Sequence, residues 1–173
     1  TIRSAGGDLI AVTSEPQYLA EEAQKDWKLS YEVIGDPHQE IRRSLADRGW
    51  LDIYRNQNWQ HFGGDRDWTR HPHGYYQPAV LALTKTGRVL YRWRCIPKRE
   101  NLSGAGARPS ADYVWRKVKE GLNRSDDVIV DEAPVLTSKD PSWPVFLILL
   151  LAHGWFLKPK VFPLQRGNKT RWR

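Results

Sequence analysis

The residue with the clearest capacity for chemistry is Cys95, the only cysteine among the 173 residues. Four cationic side chains lie close to it in the sequence: Arg92, Arg94, Lys98 and Arg99. Positive charge stabilises a thiolate, so Cys95 is a candidate catalytic thiol. The alternative is a small apolar residue packed at the end of a strand. A lone cysteine also excludes an intramolecular disulfide framework and a four-cysteine zinc site.

A second group that could do chemistry is the set of histidines and acids between residues 52 and 76, a stretch without periodicity. They are His61, Asp65, Asp67, His71 and His73. Imidazole and carboxylate groups bind zinc or copper, but no third ligand has a diagnostic spacing, so we expect neither a metal nor a cofactor. Aromatic side chains are enriched at interfaces. The candidate partner-binding residues of this stretch are therefore Trp59, Phe62, Trp68, Tyr75 and Tyr76.

The charge balance is basic, because 27 Lys and Arg stand against 20 Asp and Glu and give a net charge of +7. Basic residues interleaved with Trp and Tyr can bind nucleic acid through phosphate contacts and base stacking. No recognised nucleic-acid-binding motif is present, so nucleic acid is the least favoured partner. P-loop, dinucleotide-binding and nucleophile-elbow motifs are also missing. The basic set includes Arg42, Arg43, Arg88, Arg92, Arg94, Lys98, Arg99 and Arg108, and a tail extends it with Lys158, Lys160, Arg166, Lys169, Arg171 and Arg173.

The elements that must position these residues begin with two strand–helix units. An apolar run at residues 9–13 predicts a short strand, with Ser14 as the cap of the following helix. Residues 31–34 predict a second strand, with Asp36 as a cap and Pro37 as the first helical residue. Two such units in the first fifty residues indicate an α/β layer with parallel strands.

A hairpin and a last helix follow the aromatic stretch. Pro78 introduces an apolar strand at residues 79–84, and a tight turn leads to a return strand at residues 88–94. Apolar and basic residues alternate along the return strand, which predicts one mostly basic face. Ser110 predicts the cap of a helix over residues 111–122.

This order of elements resembles the thioredoxin fold, and the residues resemble its peroxiredoxin-like branch, the alkyl hydroperoxide reductase and thiol-specific antioxidant type. The resemblance covers residues 1–123. It implies a thioredoxin-like α/β domain of three layers, with a central mixed sheet and flanking helices. The matching stretches are residues 8–15, 33–37, 77–83 and 86–91.

The resemblance also implies a chemistry and a site. In that family a peroxide-reacting cysteine opens a helix ahead of the first strand seen here, and residues 1–7 are similar to the tail of that helix. Pro78 matches the cis-proline that flanks the family's active site, and a thiol is the reductant. The implied function is a peroxiredoxin-like thiol-redox (antioxidant) protein, with the usual catalytic cysteine not among these residues. Enzymatic activity would then depend on a cysteine supplied from elsewhere.

An extension at residues 124–173 follows the domain, with an apolar segment at 143–157 and a basic tail at 158–173. The apolar segment is shorter than the roughly 18 residues needed to span a bilayer. It predicts a buried strand that fills the sheet, a helix on this domain or on a partner, or a membrane-surface contact through residues 143–160. The candidate partner-binding residues here are Trp155, Phe156, Lys158 and Lys160.

A hypothesis from another class follows from the aromatic stretch and this extension. The protein would be a non-enzymatic thioredoxin-fold subunit that docks in a larger complex, including one at a membrane. A basic-surface nucleic-acid-binding protein is the remaining alternative. The first residues contain no apolar signal segment, and a single cysteine fits a reducing compartment, so we expect a soluble, intracellular or organellar protein rather than a secreted one.

Overall fold

The structure is a computed structural model of the chain, and it describes residues 2–56, 70–97, 108–126 and Asp131. None of the helices within these ranges is long and apolar enough to cross a membrane. A 3₁₀ turn at Arg3–Ala5 precedes the other elements. In chain order these are β1 (Ile10–Thr13), α1 (Gln17–Asp26), β2 (Glu32–Gly35), α2 (Glu40–Asp47), β3 (Arg55–Asn56), β4 (Tyr75–Tyr76), β5 (Ala79–Leu83), β6 (Val89–Arg94) and α3 (Ala111–Leu122).

The first half is a parallel pair of strands with a helix packed against it. β1 pairs with β2 in parallel, with Thr13 opposite Gly35. A Cβ atom at Gly35 would lie 2.6 Å from backbone atoms of Glu15 and Gln17, so only glycine allows this approach between β2 and the start of α1. The Gly35 amide also donates to the Gln17 side chain at 2.7 Å. The prediction of parallel strands joined by a helix is confirmed.

The second half is an antiparallel hairpin. β5 pairs with β6, with Val80 opposite Trp93. Gly87 has a φ of 86° and closes the turn by donating its amide to the carbonyl of Thr84 at 3.0 Å. Asp131 makes a parallel bridge to Trp93 and so extends the outer edge of β6. The predicted hairpin and its turn are confirmed.

The core lies between this hairpin and α3. Tyr91, Trp93 and Cys95 are buried there at 1–2 % exposure. Half-buried residues of β5 and α3 pack against them: Val80, Ala82, Tyr113, Val114 and Val118. Ser110 caps α3 as predicted, since its hydroxyl accepts the amide of Tyr113 at 3.2 Å.

The start of α1 differs from the prediction. Pro16 takes the capping position, and no side chain caps the helix, so the assignment of Ser14 as the cap is wrong. The physical reason is that the Ser14 hydroxyl bonds to a later part of the chain, and such bonds compete with local capping.

The start of α2 differs as well. The helix begins at Glu40, and Pro37 lies in the preceding turn rather than in the first helical position. Gln39 precedes the helix in a left-handed conformation. The Asp36 carboxylate still satisfies the first turn, because it accepts the amides of Glu40 and Arg42.

The described strands do not form one central sheet. They form three two-stranded sheets, β1–β2, β3–β4 and β5–β6. A mixed α/β architecture is established at this level. The peptide bond before Pro78 is trans, as are the others in the described ranges, so the expected cis-proline is wrong. An X-Pro bond favours the trans isomer by about 0.5–1 kcal/mol unless its surroundings select the other.

We expect Gly121→Ala to lower the free energy of unfolding by about 3 kcal/mol, because the added Cβ would lie 2.1 Å from the carbonyl oxygen of Leu90. The same change in an open helix interior raises stability by about 1 kcal/mol, so the sign alone tests the packing of α3 on β6. Urea unfolding followed by circular dichroism measures it. Gly49→Ala is the control, since no atom lies within 4 Å of its added Cβ and only its φ of 68° opposes the change.

Candidate functional site at the carboxyl ends of the parallel strands

Each of the two parallel strands ends in a buried polar residue. Ser14 follows β1 and is 3 % exposed, and Asp36 follows β2 and is 4 % exposed. The carboxyl ends of parallel strands meet at one edge of a sheet, which is the edge where α/β proteins bind ligands. Residues 70–78 supply the bonding partners of Ser14 and Asp36, so this edge is the candidate functional site.

The Ser14 hydroxyl joins β1 to residues 70–78. Its Oγ atom accepts the amide of Tyr76 at 3.2 Å and lies 3.0 Å from Nδ1 of His71. A hydroxyl can accept one hydrogen bond and donate another, so both contacts are satisfied when the imidazole accepts at Nδ1. These bonds join the segment that carries Tyr76 to the carboxyl end of β1.

Charged side chains surround the imidazole of His71. Glu15 Oε1 lies 2.9 Å from the guanidinium of Arg70 and 3.8 Å from Nε2 of His71. The imidazole also packs against the ring of Tyr75, with 5.8 Å between ring centroids. A hydroxyl, an imidazole and a carboxylate are the groups that proton transfer uses. Because the Ser14 oxygen is buried and already bonded, we assign this cluster a positioning role toward the backbone rather than a nucleophilic one.

Asp36 makes the second link across the site. Its carboxylate accepts the hydroxyl of Tyr76 at 2.5 Å and the amides of Glu40 and Arg42 at 2.7 and 3.1 Å. Charge-assisted hydrogen bonds of this kind are about twice as strong as neutral ones. Burial, followed by the bond to Asp36, raises the pKa of the Tyr76 hydroxyl far above its ordinary value. The tyrosine therefore stays protonated and remains a donor at physiological pH.

Arg42 extends this network from α2 to the hairpin. Its guanidinium donates to the Asp52 carboxylate and to the Ile53 carbonyl, both at 2.7 Å. Arg94 of β6 is buried, lies 3.8 Å from the second Asp52 carboxylate oxygen and donates to the Asp52 carbonyl at 3.0 Å. Burying a charge without partners costs several kcal/mol of folding free energy. Arg42 and Arg94 therefore need both the carboxylate of Asp52, which they share, and the backbone carbonyls. The site is thereby anchored to the core.

The predicted catalytic thiol lies away from solvent. Cys95 is 1 % exposed and packs with Tyr91 and Trp93 in the core. Its amide donates to the carbonyl of Pro78 at 2.9 Å, so the backbones of two predicted site residues are paired. A reactive cysteine needs a partly exposed, electropositive environment. The burial therefore favours the packing interpretation of Cys95 over the catalytic one.

The predicted partner-binding residues divide into two groups. Tyr75 and Tyr76 form β4 at the site, where the Tyr76 hydroxyl points inward to Asp36 and the Tyr75 ring contacts His71. Contacts of these tyrosines with a partner stay a prediction. The other predicted residues lie outside the described ranges, and they are Trp59, Phe62, Trp68, Trp155, Phe156, Lys158 and Lys160.

The predicted basic face of the hairpin is used inside the protein. Arg88 lies directly before β6 and Arg92 lies within it. The guanidinium groups of both donate to backbone carbonyls at or just beyond the ends of helices. The pairs are Arg88 with Gly121 and Arg124, and Arg92 with Gly49 and Trp50, at 2.7–3.1 Å. Helix C-termini leave carbonyls unsatisfied and carry partial negative charge, so they bind cations well. Arg88, Arg92 and Arg94 therefore bond within the protein, and binding of an external polyanion by the basic set stays a prediction.

Sequence reasoning missed the site itself. It interpreted Ser14 and Asp36 as helix caps and treated His71 as a candidate metal ligand. The signal that could have found the site is a polar residue directly after each of two parallel strands. Within residues 2–56, 70–97 and 108–126, no group of three or more His, Cys, Asp or Glu residues is arranged to hold a metal ion.

Comparisons with known proteins give no further guide. No protein family, curated protein or solved structure matches the chain. The peroxiredoxin-like resemblance therefore depends on the sequence motifs alone.

We expect Tyr76→Phe to lower the free energy of unfolding by about 2 kcal/mol at neutral pH, because Asp36 loses a charge-assisted hydrogen bond. The wild-type protein loses stability above about pH 10, where the unfolded tyrosine releases a proton that the folded one keeps. Tyr76→Phe removes this contribution, so its stability falls less between about pH 10 and 11. Urea unfolding across this range measures both effects.

Tyr18→Phe is the matched control, because the Tyr18 side chain is 65 % exposed and lies on α1. The control should keep the wild-type stability at neutral pH. The role assigned to the Asp36–Tyr76 bond is contradicted if Tyr76→Phe and Tyr18→Phe are indistinguishable at neutral pH and in alkali.

Proposed function

We propose that this protein is a peroxiredoxin-like thiol-redox protein of thioredoxin-like fold whose reactive thiol is not Cys95. The order of the described elements agrees with the resemblance: a parallel strand pair with its helices, a hairpin that an X-Pro pair introduces, and a last helix. The departures are the trans peptide bond before Pro78 and the missing cysteine segment.

The observation that carries the proposal is the bond between the Tyr76 amide and the Ser14 hydroxyl. Tyr76 lies two residues before Pro78, which the resemblance expects to flank a reactive thiol, and the bond joins this segment to the carboxyl end of β1. The imidazole of His71 bonds to the same hydroxyl through Nδ1, so it helps Ser14 to position the backbone at this edge. The site thus offers a position for a thiol, while the sulfur must come from another segment.

Two strand edges could receive the segment that carries this sulfur. Within the described ranges β1 pairs with β2 alone, and β5 pairs with β6 alone. Each therefore has a second edge that pairs with no other described strand, and a further strand could add to it. In the proposed complete domain, a central strand occupies these edges and leads to the helix that starts with the reactive cysteine.

The proposed reaction is the reduction of a hydroperoxide. The thiolate attacks one peroxide oxygen, an S–O bond forms as the O–O bond breaks, and the leaving oxygen takes a proton to become water or an alcohol. A reductant thiol then attacks the sulfenic acid, which forms a disulfide and releases water. Cys95 is unsuited to the first step because its sulfur lies in the core.

We expect Cys95 in the folded chain to resist dimedone during brief exposure to micromolar hydrogen peroxide, and to react with a thiol reagent once urea unfolds the protein. Burial keeps the sulfur away from both reagents in the folded state. Intact-mass spectrometry measures the modified fraction. A Thr86→Cys, Cys95→Ser double variant is the positive control for the thiol reagent, since Thr86 is exposed in the hairpin turn. Rapid, stoichiometric dimedone labelling of folded wild-type chain would overturn the assignment.

The source of the reactive thiol needs a separate experiment. The coding sequence ahead of Thr1 is read, and the whole gene product is assayed for hydroperoxide consumption with a dithiol reductant. The proposal is supported by a cysteine ahead of Thr1 together with activity that survives Cys95→Ser and is lost when the other cysteine is replaced. A product with no second cysteine and no activity contradicts it and favours the docking function below.

Docking in a complex is the second candidate function, and apolar side chains exposed on the first strand–helix unit favour it. Ile10 of β1 is 55 % exposed and Trp27 at the end of α1 is 74 % exposed, and Leu9 and Tyr18 are exposed as well. Large apolar side chains left exposed mark interaction surfaces when they occur together. Among the described strands β1 also pairs with β2 alone, so a partner strand could add to its second edge.

We expect an Ile10→Glu, Trp27→Glu double variant to lose protein partners without unfolding, because both changes introduce charge at exposed positions. Cross-linking in cells followed by mass spectrometry identifies the partners of the tagged chain. Leu122→Glu is the matched control, since Leu122 is 52 % exposed on α3. The control should keep the wild-type partners. Retention of the same partners by the double variant would exclude this surface as the docking site.

A further inference from the structure

Two histidine rings that are distant in sequence lie side by side at the surface. His38 precedes α2, and His73 lies in the turn before β4. Their ring centroids are 5.9 Å apart, with the planes tilted by 55°. Both residues are exposed, and neither imidazole takes part in the network of Ser14 and Asp36 described above.

Hydrogen bonds of the Gln39 side chain, rather than contact between the rings, hold these histidines near each other. Gln39 is buried and donates its side-chain amide to the carbonyl of His73 at 2.7 Å. The Gln39 carbonyl oxygen accepts the guanidinium of Arg55 at 3.1 Å. Gln39 has a φ of 60°, a conformation that costs a non-glycine residue about 1–3 kcal/mol and that the surrounding bonds must hold in place. The spacing of His38 and His73 is therefore built into the fold.

We propose that His38 and His73 together bind a late first-row divalent metal ion, Cu²⁺ or Zn²⁺. Neutral imidazole is a ligand that suits both ions. With metal–nitrogen bonds of about 2.0–2.1 Å, two imidazoles on one tetrahedral ion have ring centroids about 5 Å apart. The observed separation of 5.9 Å is within about 1 Å of this value, and rotation of the exposed side chains can bring one nitrogen of each ring toward the same ion.

Such a site has two protein ligands, and solvent completes the coordination of the ion. One ligand comes from the start of α2 and the other from the residues that carry Tyr76, so the ion joins two parts of the candidate functional site. An ion that binds the folded state alone stabilises it, and the stabilisation grows with the logarithm of the free ion concentration once that exceeds the Kd. The alternative is an ordinary contact between two tilted rings, which holds no ion.

The test is a titration of the full chain with ZnCl₂ by isothermal titration calorimetry, repeated with Cu²⁺ and electron paramagnetic resonance to identify the bound nitrogens. We expect one equivalent to bind and two imidazole nitrogens to appear on Cu²⁺. His38→Asn and His73→Asn should each weaken binding by at least about tenfold. His153→Asn and Cys95→Ser are matched controls that should keep wild-type affinity. Circular dichroism checks that each variant is folded.

A His38→Asn, His73→Asn double variant distinguishes chelation from two separate sites. If both rings bind one ion, the double variant should bind it only slightly more weakly than either single variant does, because one substitution already destroys the chelate. Two separate sites would bind two equivalents on the wild-type chain and one on each single variant, and this result would overturn the proposal. It is also overturned if the wild-type chain binds neither ion, if His38→Asn or His73→Asn keeps full affinity, or if His153→Asn loses as much.

Discussion

The buried carboxylate of Asp36 is the interaction on which the arrangement of the first half depends. It lies at the end of β2 and bonds to the first turn of α2 and to the hydroxyl of Tyr76. An ionised carboxylate is costly to bury unless its oxygens are bonded, so β2, α2 and β4 have to assemble together. Because β4 contains only two residues, its ladder is short, and these side-chain bonds add to it in holding residues 70–78 at the site.

The arginines of the hairpin meet the same requirement, which is that buried polar groups be hydrogen-bonded. A strand with alternating arginines suggests, from sequence alone, a surface for an external anion. In the structure, the arginines instead bond to backbone carbonyls near the C-terminal ends of α3 and α2. Carbonyls at helix ends have no partner within the helix and carry partial negative charge. Arg88 thereby joins β6 to α3, and Arg92 joins β6 to the end of α2. A polyanion would have to bind basic residues other than these.

The sequence predicts those features that depend on a few neighbouring residues. The hairpin turn at Gly87 and the Ser110 cap are local signals, so the hairpin and α3 could be predicted. Ser14 and Asp36 also resemble helix caps when viewed locally. Their partners, His71 and Tyr76, lie 57 and 40 residues away, and no local pattern specifies such pairings. The candidate site consists of these distant bonds and therefore could not be predicted from the sequence.

The direction of the Cys95 side chain sets a constraint on any thiol chemistry in this protein. In an extended strand the backbone bonds lie in the sheet, and the side chain stands perpendicular to it. The Cys95 amide pairs with Pro78, while its sulfur lies with Tyr91 and Trp93 on the side of the hairpin that α3 covers. To reach the edge formed by Ser14 and His71, the sulfur would have to leave the core and disrupt that packing. Redox chemistry at this edge therefore requires a sulfur from another segment, which is the arrangement that the proposed function assumes.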